Sequence, residues 1–360
     1  MIKNKETTKG QILKIKQYGK SSVSLIKQKQ SFFSDNDKHV KEQKKVSSIY
    51  MQQPARLYCK NCGKLLKVES DFIKNDIAYK ICGVCTHLNG AYDDTNEFCS
   101  AIYTEGEGKD YAQNYKSSDI EDFDYRLSSI YIPKAEFLYT SLMNDNIEPH
   151  KMKYLDVGAG SGYFVGALNK IGLKNISATE VSKYQVDYGN GIMGENFLST
   201  HKPDDTNRLL QECDADVVSF IGVLEHLQDP RGAIEHIKKN NKIKYVYISV
   251  PLFSLSVFLE ILSPDVFHRQ LSGGHTHLYT EESLQYLVNE FGFDVVSEWW
   301  FGTDMIDLYR HIFIDMKKRQ CSQKLMDLFQ NMISPMIDPI QLEIDKQHYS
   351  SEVHLLLRNN

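Results

Sequence analysis

A glycine-rich turn, an acid downstream of it and two cysteine pairs carry most of the recognisable chemistry in this sequence of 360 residues. Residues 153–164 read KYLDVGAGSGYF. The pattern predicts a strand ending at Asp156 and Val157, a turn at Gly158, Gly160 and Gly162, and a helix starting near Tyr163. Glycine at these positions lets the backbone take positive φ and approach a ligand closely. The helix start behind the turn points unpaired N–H groups at whatever sits there. A dinucleotide turn would read G-x-G-x-x-G/A. Counting from Gly158 the last place holds Tyr163, and counting from Gly160 it holds Val165, so that pattern fails in both frames. Glu180 closes the next strand, 22 residues after Gly158. An acid at that distance can accept hydrogen bonds from ribose hydroxyls. The plain alternative is a glycine turn that only packs helix against strand.

Cys59-Lys-Asn-Cys62 and Cys82-Gly-Val-Cys85 are separated by residues 63–81, a zinc-ribbon spacing. Four thiolates at Cys59, Cys62, Cys82 and Cys85 close a tetrahedral shell and leave no open position, so the zinc would be structural. His87 and Cys99 read as bystanders. Histidine titrates near neutrality, which makes His226, His275 and His277 candidate bases, with Glu225 beside His226 to orient it. His226 comes first and His275 second. His275 and His277 lack a third ligand in register and are not read as a metal pair. Each histidine has a plain alternative, shaping the pocket or capping the helix that starts near Thr280.

These groups need elements to hold them. From residue 153 onward short β-rich runs alternate with helical stretches, and the alternation predicts an α/β fold with a parallel sheet wound on both faces. Ligands of such sheets sit outside the carboxyl ends of the strands. Residues 222–230 and 251–280 should lie there, the second too long for an ordinary connection and therefore a lid or pocket wall. Trp299 and Trp300 should pack the sixth strand of this unit, and the final strand is expected at 352–358. The chain divides into a basic, flexible leader (1–55), a zinc-ribbon module (56–100), a tyrosine-rich helical linker or cap (101–150), the sheet domain (151–302, with the insertion 251–280), and C-terminal helices with the last strand (303–360).

Composition bounds the partners. Residues 1–58 hold 13 Lys/Arg and 4 Asp/Glu, a net of +9, while the whole chain carries −5, which leaves −14 on the remainder. A basic arm suits nucleic acid, an anionic surface or an acidic partner, and the plain reading is a solvated extension. No run of about 18 apolar residues reads as a membrane span, and the first residues have no apolar signal core. Seven cysteines, four in Cys-x-x-Cys pairs, suit a reducing compartment, so a cytoplasmic location is expected. The oligomeric state has no signature in the sequence.

LDVGAGSG, the acid in ATEVS and DVVSFIGVLEHLQDP resemble, in order and spacing, the first, second and fourth motifs of class I S-adenosylmethionine-dependent methyltransferases. The resemblance implies a Rossmann-like, seven-stranded, mostly parallel sheet preceded by the small zinc ribbon, and S-adenosylmethionine as cofactor. It implies that Gly158, Gly160 and Gly162 face the methionine part, with Asp156 near its amino group. Glu180 would bind both ribose hydroxyls, and Ile221 and Gly222 would line the cofactor beside the methyl. Glu195 and Asn196 are the candidates near the adenine. A zinc module ahead of this domain, with the GGHTHLYTEESLQYLVNEFGF tail, is similar to sugar and surface-polysaccharide methyltransferases. The expected acceptor is then a sugar or sugar-nucleotide intermediate of glycan biosynthesis. Two alternatives stand beside it: an RNA methyltransferase gripping phosphates with leader and ribbon, and a non-catalytic binding protein built on the same scaffold.

Overall fold

The computed structural model describes residues 15–28, 30–104, 120–272 and 274–360. Twelve strands are assigned among them: β1 (Ile15–Tyr18), β2 (Phe72–Lys74), β3 (Ile77–Ile81), β4 (Leu88–Gly90), β5 (Tyr154–Val157), β6 (Ile176–Glu180), β7 (Leu198–Thr200), β8 (Val217–Ile221), β9 (Tyr245–Pro251), β10 (His277–Leu278), β11 (Phe293–Phe301) and β12 (Glu352–Asn359).

The main sheet runs β1-β11-β12-β9-β8-β5-β6-β7. β5, β6, β7, β8 and β9 pair in parallel, and β12 lies antiparallel between β9 and β11. Every residue of β5 is buried, as are the first four of β8 and the first six of β9, as expected of strands covered on both faces. The side chains alternate between two cores. Tyr154, Val217, Tyr245 and Tyr247 enter one, and Leu155, Val218, Val246 and Ile248 enter the other. From β5 the chain winds outward through β6 and β7, then returns to the other side of β5 for β8 and β9. The reversal opens a crevice at the carboxyl ends of β5 and β8, where open α/β sheets bind ligands.

The expected seven strands are present, and an eighth is added. β1 comes from the basic leader and pairs in parallel with β11, from Ile15 opposite Ser297 to Tyr18 opposite Trp300. The leader also forms helices at Ser22–Gln28, Gln30–Ser34 and Asn36–Tyr50. The expectation of a flexible extension over 1–55 is therefore corrected for its described part; residues 1–14 lie outside the described residues. The physical reason is in the third helix. Its buried positions, Asn36, Val40, Gln43, Ser47 and Tyr50, recur at helical spacing, but three of them are polar. Asn36 donates to the Asp265 carbonyl at 2.9 Å and accepts from the Phe267 N–H at 2.9 Å, and Gln43 donates to the Leu271 carbonyl at 2.6 Å. The helix is held by hydrogen bonds to the 251–280 segment, which hydrophobic periodicity does not reveal.

The cysteine module is not a free-standing unit either. Its sheet runs β10-β4-β3-β2, and β10 belongs to the segment after β9. Arg56 and Lys60 of the module pair with its own buried Asp94 at 2.9 and 2.6 Å, and Arg56 also reaches the Thr276 carbonyl. Lys74 pairs with Glu260, both fully buried, and donates to the Leu271 carbonyl. The 251–280 segment, expected as a lid or pocket wall, is thus the platform on which the module and the leader are mounted. The described part of the linker is helical, at Ile120–Arg126 and Ile132–Asn144; Tyr111 and Tyr115 lie outside the described residues. Trp299 and Trp300 are buried on β11, and the C-terminal helices precede β12 as expected. No helix among the described residues is long and apolar enough to cross a membrane.

Candidate active site and cysteine cluster

The glycine turn leaves β5 with Gly158, Gly160 and Gly162 at φ of +69°, +56° and +78°. The surroundings of the three differ. A Cβ on Gly158 would meet Val223 at 2.8 Å, and one on Gly162 would meet Met193 at 2.8 Å. At Gly160 only the end of the Gln185 side chain is near, at 3.2 Å. Gly158 and Gly162 are required by protein packing, whereas at Gly160 a Cβ would meet only that one flexible side-chain end.

Glu180, at the end of β6, is tied to this turn. One carboxylate oxygen accepts from the Gly160 N–H at 2.8 Å, and the other accepts from the N–H groups of Val181 and Ser182 at 2.9 and 3.0 Å. Burial raises its pKa, against the pull of those three donors. Asp156 accepts from the Ser219 hydroxyl at 2.6 Å, and burial pushes its carboxyl up to about 7. Ile221 ends β8, and Gly222 follows at φ +69° with its N–H on the Ser249 carbonyl. All seven residues read from the sequence as cofactor contacts therefore stand at the carboxyl ends of neighbouring strands. Glu195 and Asn196 precede β7 and are exposed.

The second cluster follows β8 directly. A single helical turn, Leu224–His226, carries Glu225 and His226. Glu225 is buried, one of its carboxylate oxygens has no hydrogen-bond partner, and burial raises its pKa to about 8. Nδ1 of His226 lies 2.8 Å from the Tyr103 hydroxyl and 3.2 Å from the Gly274 carbonyl, and the same hydroxyl lies 3.4 Å from that carbonyl. A carbonyl only accepts. The arrangement that satisfies all three groups has Nδ1–H donating to Tyr103 and Tyr103 donating to Gly274, which leaves Nε2 of His226 with its lone pair. His275 is fixed more simply, because its Nδ1 lies 2.9 Å from the Gln270 carbonyl and must be the donor. Its Nε2 also keeps the lone pair. The two rings are 4.9 Å apart, and burial lowers the pKa of His226 to about 4 and that of His275 well below the ordinary value. Both are neutral at physiological pH.

His277 is not part of this group. Its Nδ1 meets Nε2 of His87 at 2.9 Å, and His87 in turn reaches the Ser283 hydroxyl. The sequence expectation of His277 as a base is corrected: it sits on β10, paired opposite Asn89, and faces the cysteine module. Tyr103, Gly274 and Gln270 were missed in the sequence, since nothing in their spacing marks them as partners of the histidines.

The four cysteines converge as their spacing implied. Sγ of Cys59 and Cys85 are 3.7 Å apart, and those of Cys62 and Cys82 are 3.5 Å apart. Zinc–sulfur bonds of ~2.3 Å at tetrahedral angles put neighbouring sulfurs about 3.8 Å apart, so the donor set fits such an ion without rearrangement. The turn after the first pair uses Gly63 at φ +67°, while after the second it uses Thr86 at φ +58°. Asn61 and Asn89 each donate toward a sulfur at 3.6 Å, to Cys85 and Cys59. His87 and Cys99 lie outside the four-sulfur group.

Residues 134–298 match the sequence profile of a family described as a methyltransferase domain. No curated protein matches the chain in sequence. Among solved structures the chain is similar to magnesium protoporphyrin IX methyltransferase from Synechocystis PCC 6803 with bound S-adenosylhomocysteine, at 10% identity and TM-score 0.46, over 74% of this chain and 100% of that one. It is similar to a SAM-dependent methyltransferase from Geobacter sulfurreducens in complex with S-adenosylhomocysteine, at 15% identity and TM-score 0.35, over 63% and 91% of the two chains. It is also similar to a SAM-dependent methyltransferase from Archaeoglobus fulgidus, at 15% identity and TM-score 0.36, over 62% and 94%.

Proposed function

We propose that this chain, whose residues 134–298 match a methyltransferase-domain profile, is an S-adenosylmethionine-dependent methyltransferase that acts on a small polar acceptor, a sugar or sugar nucleotide used in glycan assembly. The observation that carries the reading is the placement of two clusters at one switch point: the Gly160–Glu180 cradle after β5 and β6, and Glu225, His226 and His275 beyond β8. S-adenosylmethionine, when bound, supplies an electrophilic methyl. The chain's task is then alignment, exclusion of water and removal of one proton.

Gly158, Gly160 and Gly162 would receive the methionine part, with Asp156 near its amino group. The one lone pair of Glu180 that its three backbone N–H donors leave, on the oxygen bonded to Gly160, would accept a ribose hydroxyl. Ile221 and Gly222 would flank the methyl. The proton of an acceptor hydroxyl would be taken at His226, whose Nε2 lone pair is fixed by Tyr103, with His275 second. Burial keeps both imidazoles neutral and so able to accept. Among the described residues the His226 side chain is 16% exposed and His275 is 6% exposed, which suits a small acceptor better than a polymer. Arg56 and Lys60 of the cysteine module are buried in ion pairs rather than presented to phosphates, which weighs against the RNA reading. Cys59, Cys62, Cys82 and Cys85 would hold a structural zinc that fixes the module beneath β10.

The test is transfer of a radiolabelled methyl group from S-adenosylmethionine into a bacterial cell extract by the full chain. Label should appear in the small-molecule fraction and survive ribonuclease. Label in RNA, with a rate that falls steeply as salt is added, would favour the RNA reading instead, and no transfer to any fraction would favour a binding protein.

A further inference from the structure

Outside the cysteines, one other group of side chains among the described residues gathers three metal-ligating atoms: Glu225, His226 and His275, with their ligand atoms within 4.8 Å of one another. We propose that these three side chains bind a divalent first-row transition-metal cation at the methyl end of the crevice, with open coordination positions for a hydroxyl oxygen of the acceptor. The catalytic use of the cation rests on the methyl-transfer reading above; the ligation stands on the three side chains alone.

Three observations carry it. First, both imidazoles turn Nδ1 to a backbone carbonyl that can only accept, the Gln270 carbonyl at 2.9 Å for His275 and the Gly274 carbonyl at 3.2 Å for His226, with the Tyr103 hydroxyl also beside Nδ1 of His226; a proton placed on Nδ1 to meet that carbonyl leaves the Nε2 lone pair for a metal. Such outer hydrogen bonds fix the tautomer of a ligating histidine. Second, a carboxylate oxygen of Glu225 is buried without a hydrogen-bond partner. A buried polar atom left unpaired is costly, and a cation removes the cost. Third, the Glu225 oxygen nearest His226 lies 4.0 Å from Nε2, against about 3.4 Å for ligands around a tetrahedral ion with bonds of ~2.1 Å. Closing that gap takes side-chain movement of several tenths of an ångström, and the bare Gly222 beside Glu225 leaves it room: a Cβ there would stand 3.6 Å from the carboxylate. Two imidazoles and one carboxylate suit manganese, iron, cobalt or zinc better than magnesium or calcium. The exposed guanidinium of Arg269 acts on all three groups. Its repulsion makes the expected ion an exchangeable one, unlike the ion of the four cysteines.

With the cation in place an acceptor hydroxyl would bind as a further ligand, become more acidic and release its proton to solvent, and its oxygen would take the methyl as the sulfur–methyl bond breaks and S-adenosylhomocysteine leaves; His226 would then serve as ligand, and in the metal-free chain it would take the proton itself. The experiment uses the full chain purified with its cysteine site filled with zinc. Manganese(II) is titrated in and the free ion followed by electron paramagnetic resonance, with cobalt(II) and its visible absorption as a second probe. The native chain should bind one added equivalent with an oxygen–nitrogen spectrum and no thiolate band. Glu225→Gln and His275→Ala should each weaken it at least about tenfold. Calorimetry with S-adenosylhomocysteine on the same variants reports folding and the cofactor site independently. No added equivalent, or binding that both variants leave unchanged, overturns the proposal while leaving the methyltransferase reading intact. Added metal bound without S-adenosylhomocysteine binding would uphold the ion site and count against the cofactor reading.

Discussion

The carboxylate of Glu180 accepts a hydrogen bond from the backbone N–H of Gly160 at 2.8 Å. The acid at the end of β6 therefore shapes the turn after β5, and the two halves of the crevice are built together. The turn and the acid form one hydrogen-bonded frame, with Gly160 held by the acid proposed to grip the ribose.

Gly160→Val places a branched side chain at φ +56°, with only the Gln185 side-chain oxygen close by. The left-handed backbone costs a non-glycine residue roughly 1–2 kcal/mol. Affinity for S-adenosylhomocysteine should fall well beyond the loss of stability, because the side chain enters the proposed methionine site. Calorimetry and thermal denaturation on one preparation check this. Unaltered affinity would remove Gly160 from the site.

Cofactor binding should depend on pH through Asp156. Burial raises its folded-state pKa to about 7 from an ordinary value near 4, so in the empty protein it is largely protonated at pH 6 and largely ionised at pH 8. A raised carboxyl pKa weakens the folded state progressively as pH climbs from the ordinary value to about 7. A ligand amino group beside it favours the ionised form. Affinity for S-adenosylhomocysteine should therefore rise about tenfold from pH 6 to pH 8 and then level. Asp156→Asn should flatten the profile. A flat profile in the native chain would count against the amino group meeting Asp156.

Removal of metal from the four cysteines should loosen more than residues 56–100. Elemental analysis of protein purified without added metal is expected to show near one tightly held zinc per chain. Chelation should raise amide exchange across β2, β3 and β4 and also in β10, which pairs with β4. Protection of β10 unchanged by chelation would show that the module and its platform are independent. An iron–sulfur absorption spectrum would overturn the zinc assignment.

His226→Ala should keep the affinity for S-adenosylhomocysteine and lose roughly 10²–10⁴-fold in turnover once an acceptor is in hand, the range of a positioned acid or base. A loss under about tenfold falls below that range and makes His275→Ala the next variant to measure.

The crevice was legible in the sequence because its chemistry depends on glycines and on strand-end acids, whose spacing is local. Asp156, Gly158, Gly160, Gly162 and Glu180 fall within 25 residues, and the sheet order brings them together. The cysteines were legible for the same reason. What could not be read depends on long-range partners. β10 is two residues long and has no period to detect, yet it joins the cysteine module to the sheet domain. It also separates His275 from His277, which in extended chain would face the same way. The residues that gather with His275 are not His277 but Glu225 and His226, about 50 residues upstream. The leader was misread because Asn36, Gln43 and Ser47 bury polar side chains, two of them on carbonyls of the 251–280 segment.

The most direct test of the central claim, that the Gly160–Glu180 cradle holds an adenosyl cofactor, is calorimetric titration of the full chain with S-adenosylhomocysteine beside the Glu180→Ala variant. The expected result is one saturable site per chain, weakened in the variant by about 1.5–3 kcal/mol, the worth of hydrogen bonds to a charged acceptor, and retained in Glu225→Gln. Absence of binding in the native chain, or binding that Glu180→Ala leaves untouched, would contradict it.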